Sequence, residues 1–492
     1  MRPYGSKRLL LSPSGLYFRP NCVNLPKSVV LYKLFRNFAK NIAKLLRLGK
    51  KRINSFVLLS TFRNFASSMK VLIVNTSEQT GGAAVAANRL MNALNNHGVK
   101  AKMLVRDKST DDICVVGLQG TLGKRWHFLW ERLVVFFHLH FKRDHLFEVD
   151  IANSGTDITK LREFKEADII HLHWINQGML SLSGIRKILR SGKPVVWTMH
   201  DIWPATAICH YARGCQSYMS RCHHCVLLPG RGSERDLAAK VWKRKVQLLS
   251  TANVSFVACS RWLEGEAKRS ALLNGHFITS IPNPIDTRIY CPKDKVEARR
   301  SLGLPEQGRY VLFVSQRVTD ERKGIAYLIE SMGKLVAQHP ELKADTRIVI
   351  LGSHADEVAR ELPLPVDTLG YVSDVETIVN VYNAADVFVT PSLEDNLPNT
   401  IMESMACGVP CVGFRVGGIP EMIDHRKTGY VAEFRNSDDL ARGIGWVLCE
   451  ASAEELSRQS VRKVMKSYSQ TGVAMQYSEV YQQALAQKHF KL

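Results

Sequence analysis

The sequence predicts an α/β protein of two doubly wound domains that face each other across a cleft. Three observations carry this prediction. Buried-strand runs alternate with helical stretches from Met69 to about residue 260, and the same alternation starts afresh at Tyr310. The segment around residues 280–292, IPNPIDTRIYCP, holds three prolines without a steady period and separates the two series as a linker. A length of 492 residues exceeds one ordinary core and fits two.

The first series opens with KVLIVNT, directly after Met69. Gly81 and Gly82 then lead into the helical run AAVAANRLMNALNNHG, which Gly98 terminates. AKMLVR, ADIIHLHW, PVVWTMHD and VSFVACS read as further strands, and LSLSGIRKILRSG as a helix. The second series runs through YVLFVSQ, a helix from Gly324, RIVILGS, VDTLGYV, a helix over Asp374–Ala385, DVFVTPS, a helix from Asn399, and PCVGFR. Strands spaced by helices imply parallel sheets covered on both faces, with ligands at the carboxyl ends of the strands. The expected domains are 69–285 and 286–465. A last helix within 466–492, near VAMQYSEVYQQAL, is expected to return to the first domain.

Residues 1–68 differ from the rest. They carry 14 Lys and Arg and no Asp or Glu. The formal charge of +22 less these 14 leaves +8 on the remaining chain, a mild surplus suited to phosphate ligands or an anionic surface. We expect this basic extension to lie outside the fold. Its stretch 29–48 has the pattern of a basic amphipathic helix. No run of 18 apolar residues occurs, so no spanning helix is expected. The 11 cysteines, several isolated among apolar residues, suit a reducing compartment; the expected location is the cytoplasm, peripheral to the inner face of a membrane.

The most informative stretch is PSLEDNLPNTIMESMACGVPCVGFRVGGIPEMI, residues 391–423. Asp395 and Glu403 are separated by seven residues, and Glu403 stands on a small-residue helix before a Gly-Val-Pro turn. A carboxylate at Glu403 can accept hydrogen bonds from both hydroxyls of a ribose. Leu397, Pro398, Asn399 and Thr400 lie at a loop-to-helix junction, where N–H groups and the helix dipole favour an anion. The bland reading is a capped surface helix. This stretch resembles the donor-binding motif of the family 4 glycosyltransferases, and the resemblance extends from Met69 to near the C-terminus. It implies the GT-B fold, two Rossmann-like domains across a cleft. It also implies a nucleotide-sugar donor and retention at the anomeric carbon. In the family the first acidic position is usually Glu, and here it is Asp395.

The resemblance implies further site residues. In VSQRVTDERKGI, residues 314–325, Arg317 and Lys323 would clamp the diphosphate, with Arg322 a competitor because the spacing is one residue longer than usual. Around Val372, in GYVSD, main-chain atoms would read the base. Gly81 and Gly82 would face the diphosphate and acceptor, and His200 the transferring sugar. His171 and His173 alternate along one strand and are expected to be structural. No Asp-x-Asp motif is present to hold a divalent ion. No catalytic cofactor is therefore expected, and the leaving phosphate oxygen would itself take the acceptor's proton.

Two features stand apart. Cys209, Cys215, Cys222 and Cys225 have intervening lengths of five, six and two. A structural Zn²⁺ is the leading expectation, with disulfides or buried thiols as alternatives. Segment 126–147, WHFLWERLVVFFHLHFKRDHLF, is aromatic and basic, and reads either as a buried helix or as a membrane-surface element. The expected function is glycosyl transfer to a saccharide or lipid-linked acceptor in bacterial polysaccharide or glycolipid assembly. The alternatives are a GT-B nucleotide-sugar epimerase and, from the pI of 9.6, a basic nucleic-acid-binding protein. Salt-sensitive nucleic-acid binding without residues 1–68 would favour the last; no nucleic-acid partner is expected.

Overall fold

The computed structural model describes residues 69–489. The basic extension 1–68, with its amphipathic stretch 29–48, lies outside the described residues. Two parallel sheets form the framework. The first has the order β3-β2-β1-β4-β5-β6-β7. Its strands are β1 (Lys70–Ser77), β2 (Lys100–Asp107), β3 (Val115–Gly117), β4 (Ile169–Leu172), β5 (Val195–Met199), β6 (Val254–Ala258) and β7 (Phe277–Ser280). The second has the order β10-β9-β8-β11-β12-β13. Its strands are β8 (Arg309–Arg317), β9 (Thr346–Ser353), β10 (Val366–Thr368), β11 (Val387–Thr390), β12 (Cys411–Phe414) and β13 (Gly429–Ala432). The central strands are apolar on both faces because helices cover both faces.

Strand order reverses beside β1, which pairs with both β2 and β4, and beside β8, which pairs with both β9 and β11. A switch point leaves a crevice above the strand ends, since successive crossovers depart to opposite sides. The two crevices face one another. The chain crosses between the sheets through residues 281–292 and again near Tyr468. The crossings touch: Ile285 N–H donates to Tyr468 O at 2.9 Å, and Ile285 bridges Ser469. The helix Gln470–His489 then packs on the helix Gly82–Asn96 of the first sheet, burying Val473, Tyr477 and Tyr481 with Ile73 and Leu90.

Candidate active site

A cavity of about 640 Å³ lies between the two sheets. From the first sheet, β1 ends at Ser77 and turns at Gly81, whose φ of 90° disfavours any side chain. Gly82 opens the helix Gly82–Asn96 close to the opposite wall, and its carbonyl accepts from Asn399 Nδ2 at 3.0 Å. β4 and β5 bring Trp174, His200 and Asp201 to the same rim.

From the second sheet, β8 and β11 are neighbours, so their carboxyl-end loops meet although 72 residues separate Lys323 from Asp395. Lys323 Nζ lies 2.6 Å from Asp395 Oδ2. Arg322 Nη1 is 3.6 Å from the same oxygen, donates to Glu394 O at 2.9 Å, and lies over the Tyr211 ring. Burial would raise the Asp395 carboxyl; Lys323 and Arg322 outweigh it and hold that group below the usual range. Arg317 lies further out, its Nε donating to Thr319 Oγ1 at 3.0 Å. The helix Asn399–Ala406 begins after Pro398 with no side-chain cap, so its first N–H groups face the cavity without a capping side chain. Gly417 backs the loop: a Cβ there would stand 1.8 Å from Asp395 O.

The domains touch through specific polar groups. Asn396 donates to His200 O at 3.1 Å and accepts from Ser260 Oγ. Asn283 donates to Asn399 Oδ1 at 3.0 Å. Glu421 accepts from the N–H groups of Arg261 and Trp262 at 2.9 and 2.6 Å.

A model described as Glycosyltransferase Family 4 matches residues 80–289, and one described as Glycosyl transferases group 1 matches residues 308–450. The two matches cover every strand of both sheets except β1, and every residue that lines the cavity except Asn75, Thr76 and Ser77. The chain belongs to the family 4 glycosyltransferases.

An uncharacterized glycosyltransferase of Methanocaldococcus jannaschii is 32% identical over 39% of this chain and 50% of its own length. The chain spans about half the length of the curated relatives it matches. The glycosyltransferase resembles sucrose-phosphate synthase from Thermosynechococcus elongatus, with a TM-score of 0.60, 20% identity, and coverage of 85% of this chain and 99% of that one. It resembles Anabaena HepE in complex with UDP-glucose with a TM-score of 0.55, 16% identity, and coverage of 84% and 100%. These likenesses establish the GT-B fold.

Of the residues expected from the sequence of this glycosyltransferase, Gly81, Gly82, His200, Arg317, Lys323, Asp395, Leu397, Pro398 and Asn399 line the cavity, as does Arg322. Glu403 does not line it. Its Oε1 is 2.7 Å from Arg89 Nη2 of the first sheet's helix, and its Oε2 accepts from Tyr382 OH at 2.8 Å. Arg89 in turn lies over the Tyr290 ring. Val372 also stands outside, packed against the core beneath the Gly370–Asp374 loop. The sequence reading missed Arg89, Trp174, Tyr211 and Asn283, none of which sits in a recognisable pattern.

His200 is held by its own neighbours. Its Nε2 is 2.9 Å from His173 Nδ1, and its Nδ1 is 3.4 Å from Cys259 Sγ. Burial pushes His200 down to about 4, so it is neutral near pH 7. His171 bonds Tyr481 OH and Thr198 Oγ1, both at 2.7 Å, and is structural; His173 reaches the site through His200. Asp201 accepts from Trp174 Nε1 at 2.9 Å and from His210 Nδ1 at 2.7 Å. His210 also reaches Asp150 Oδ2 at 2.6 Å. Burial opposes charging His210, yet the two aspartates prevail and raise it to about 10.

The zinc expectation for Cys209, Cys215, Cys222 and Cys225 is corrected. Among the described residues, the groups whose ligand atoms converge closely enough for a metal include none of these four. All four are free thiols in the structure. The reason is visible in the packing. Cys222 joins the apolar core, Cys209 and Cys225 pack against it, and burial pushes them up to about 12, 12 and 11. Lys245 organises this region instead: its buried ammonium donates to Trp203 O at 2.7 Å and Thr206 O at 3.0 Å, 3.3 Å above the Trp203 ring. No described helix is long and apolar enough to cross a membrane.

Proposed function

We propose that the chain transfers a sugar from a nucleotide-sugar donor to an acceptor hydroxyl, with retention at the anomeric carbon. One observation carries the reading. The Gly81–Gly82 turn, the Lys323–Asp395 pair and the uncapped helix start at Asn399 converge on one cavity from two sheets. Fixed positive charge opposite flexible glycine backbone suits a diphosphate. The UDP-glucose bound by the Anabaena neighbour, and its shared fold, support the donor class.

In this reading the diphosphate draws Lys323 away from Asp395, and Arg322 or Arg317 adds a second cation. Asp395, relieved of its partner, accepts from a hydroxyl of the sugar. The bond between the anomeric carbon and the phosphate oxygen breaks, and the bond to the acceptor oxygen forms on the same face. The acceptor's proton passes to the departing phosphate oxygen, so no protein nucleophile is required. Cations positioned at the developing charge supply the stabilisation. His200, neutral and with its ring nitrogens facing His173 and Cys259, serves the sugar as a wall of the site rather than as a base. Val372 lies on the loop we assign to the base, and Glu403 to the ribose. The acceptor is a saccharide or lipid-linked saccharide, and the setting is polysaccharide or glycolipid assembly at the inner face of a bacterial membrane.

The test is a panel of UDP-, GDP- and ADP-sugars. One of them should raise the melting temperature in a saturable way and be consumed when a saccharide acceptor is added, with an anomeric configuration in the product matching the donor. Protection by none of them, under conditions where the chain is folded, refutes the reading.

A further inference from the structure

The helix Thr121–His138 is inside out. Two of its charged residues, Glu131 and Arg132, face the protein. Glu131 is buried and accepts from the N–H groups of Ile151, Ala152 and Gly178 at 2.9, 2.7 and 3.0 Å, and buried Arg132 pairs with Asp150. Its large apolar residues face outward. Leu122 is 83% exposed, Trp126 61%, Leu129 58% and Phe137 52%, with Trp130 and Leu133 beside them. Their spacing of three and four residues makes one continuous stripe, and the Trp126 and Trp130 rings stack at 5.8 Å. Phe141 and Phe147 extend the exposed surface beyond the helix. Six large side chains, each offering about 150–250 Å² when aromatic, exceed the apolar patch ordinarily left bare on a soluble protein.

We propose that this helix and the loop after it dock on a lipid surface bearing anionic headgroups. Charge selects this occupant over an ordinary protein face. Arg125, Lys142 and Arg143 are exposed at the two ends of the stripe, and Asp144 is the one exposed acid between residues 121 and 147. Tryptophan above basic residues is the composition that rests at a headgroup boundary, rings in the acyl region and cations among phosphates. The charged inner face is no obstacle, because the body of the domain already satisfies it. The position also fits the site. Lys124 Nζ donates to Arg106 O at 3.2 Å, and Arg106 and Asp107 line both the cleft cavity and a hollow floored by Phe128 of this helix. A docked helix therefore puts the mouth of the cleft at the lipid boundary. Delivery of a lipid-borne acceptor rests on the sugar-transfer reading; docking does not.

The experiment uses the full chain and vesicles of phosphatidylcholine with or without phosphatidylglycerol, read by co-sedimentation and by quenching of tryptophan with brominated lipid. We expect binding to the anionic vesicles and quenching of the native protein. Trp126→Glu with Trp130→Glu should lower partitioning about 100-fold, from two lost aromatic insertions, while the melting temperature is unchanged. A second variant, Lys142→Ala with Arg143→Ala, should weaken binding severalfold and flatten its salt dependence. Unchanged partitioning of the tryptophan variant would overturn the proposal and assign vesicle binding to residues 1–68. A native dimer that the tryptophan variant converts to monomer would overturn it in favour of a second copy. Turnover of a soluble saccharide acceptor reports on the sugar-transfer reading alone, so the two failures are distinguishable.

Discussion

Replacing His210 by glutamine tests the buried network that holds Asp201 at the cleft. Both imidazole nitrogens are 2.6–2.7 Å from carboxylate oxygens, so both carry protons and the ring is cationic. Its folded pKa of about 10 stands above the ordinary 6.5. A group whose pKa is raised on folding stabilises fully below the unfolded value and loses that contribution as pH rises through the folded value. The window is therefore about pH 6.5 to about pH 10. At about 1.4 kcal/mol per pK unit, the charged ring contributes about 3–5 kcal/mol at the acid end of this window, and the contribution declines by up to about 1.4 kcal/mol per pH unit across it. Glutamine can donate to one aspartate and carries no charge. Asp150 keeps Arg132, and Asp201 keeps the Trp174 and Trp203 N–H groups. Urea unfolding of both proteins, followed by tryptophan fluorescence at several pH values between about 6 and 9, isolates the term, because every other titrating group, Lys245 included, is common to both. The native protein should be more stable by about 3 kcal/mol or more near pH 6, and the gap should close by about 1 kcal/mol per unit above pH 7. Two stability curves that run parallel across this range would refute the doubly paired imidazolium.

Two further outcomes follow from the cleft. Lys323→Ala should lower kcat/KM by about 100- to 1,000-fold, mainly through kcat, as expected when a charge aimed at a leaving group is removed; the melting temperature should move little because the Lys323–Asp395 pair is partly solvated. Glu403→Gln should weaken donor protection about 10-fold or more and also destabilise the chain by about 3 kcal/mol, since Arg89 loses its buried partner; loss of stability with unchanged donor affinity would make Glu403 a structural residue alone.

Where sequence reasoning succeeded, local pattern and topology agreed. Lys323 and Asp395 each follow an apolar strand run, and adjacency of β8 and β11 does the rest. Three strands escaped notice because they are short and sit at or near sheet edges: Val115–Gly117, Phe277–Ser280 and Gly429–Ala432 carry no readable alternation. VDTLGYV gave a strand of Val366–Thr368 alone, since Gly370 turns the chain away. Cysteine spacing misled because a C-x-x-C pattern constrains the separation of thiols along the chain, not their direction. Here the apolar core claims Cys222, and Lys245 ties the nearby carbonyls of Trp203 and Thr206. For segment 126–147, the aromatic and basic composition left a buried helix and a surface element both open, because composition could not say which way the helix Thr121–His138 points. That depends on Glu131 meeting three unpaired backbone N–H groups from distant loops.

The contact between Arg89 and Glu403 bears on how a donor would enter. A carboxylate has about four lone-pair sites, and the Arg89 and Tyr382 bonds use one on each oxygen. A second on each oxygen is left for a ribose diol, so the ribose assignment does not require the ion pair to break. Arg89 and Tyr382 then fix the plane of the carboxylate before the nucleotide arrives, one from each domain. Because Arg89 belongs to the first sheet's helix and Glu403 to the second sheet's, the pair ties the two domains together. Opening the cleft would free the carboxylate to turn, and closure would restore its orientation. On the proposed function, binding and closure are coupled in part through this salt bridge: a carboxylate assigned to the ribose is held in plane by Arg89 in the conformation that also brings Gly82 to Asn399.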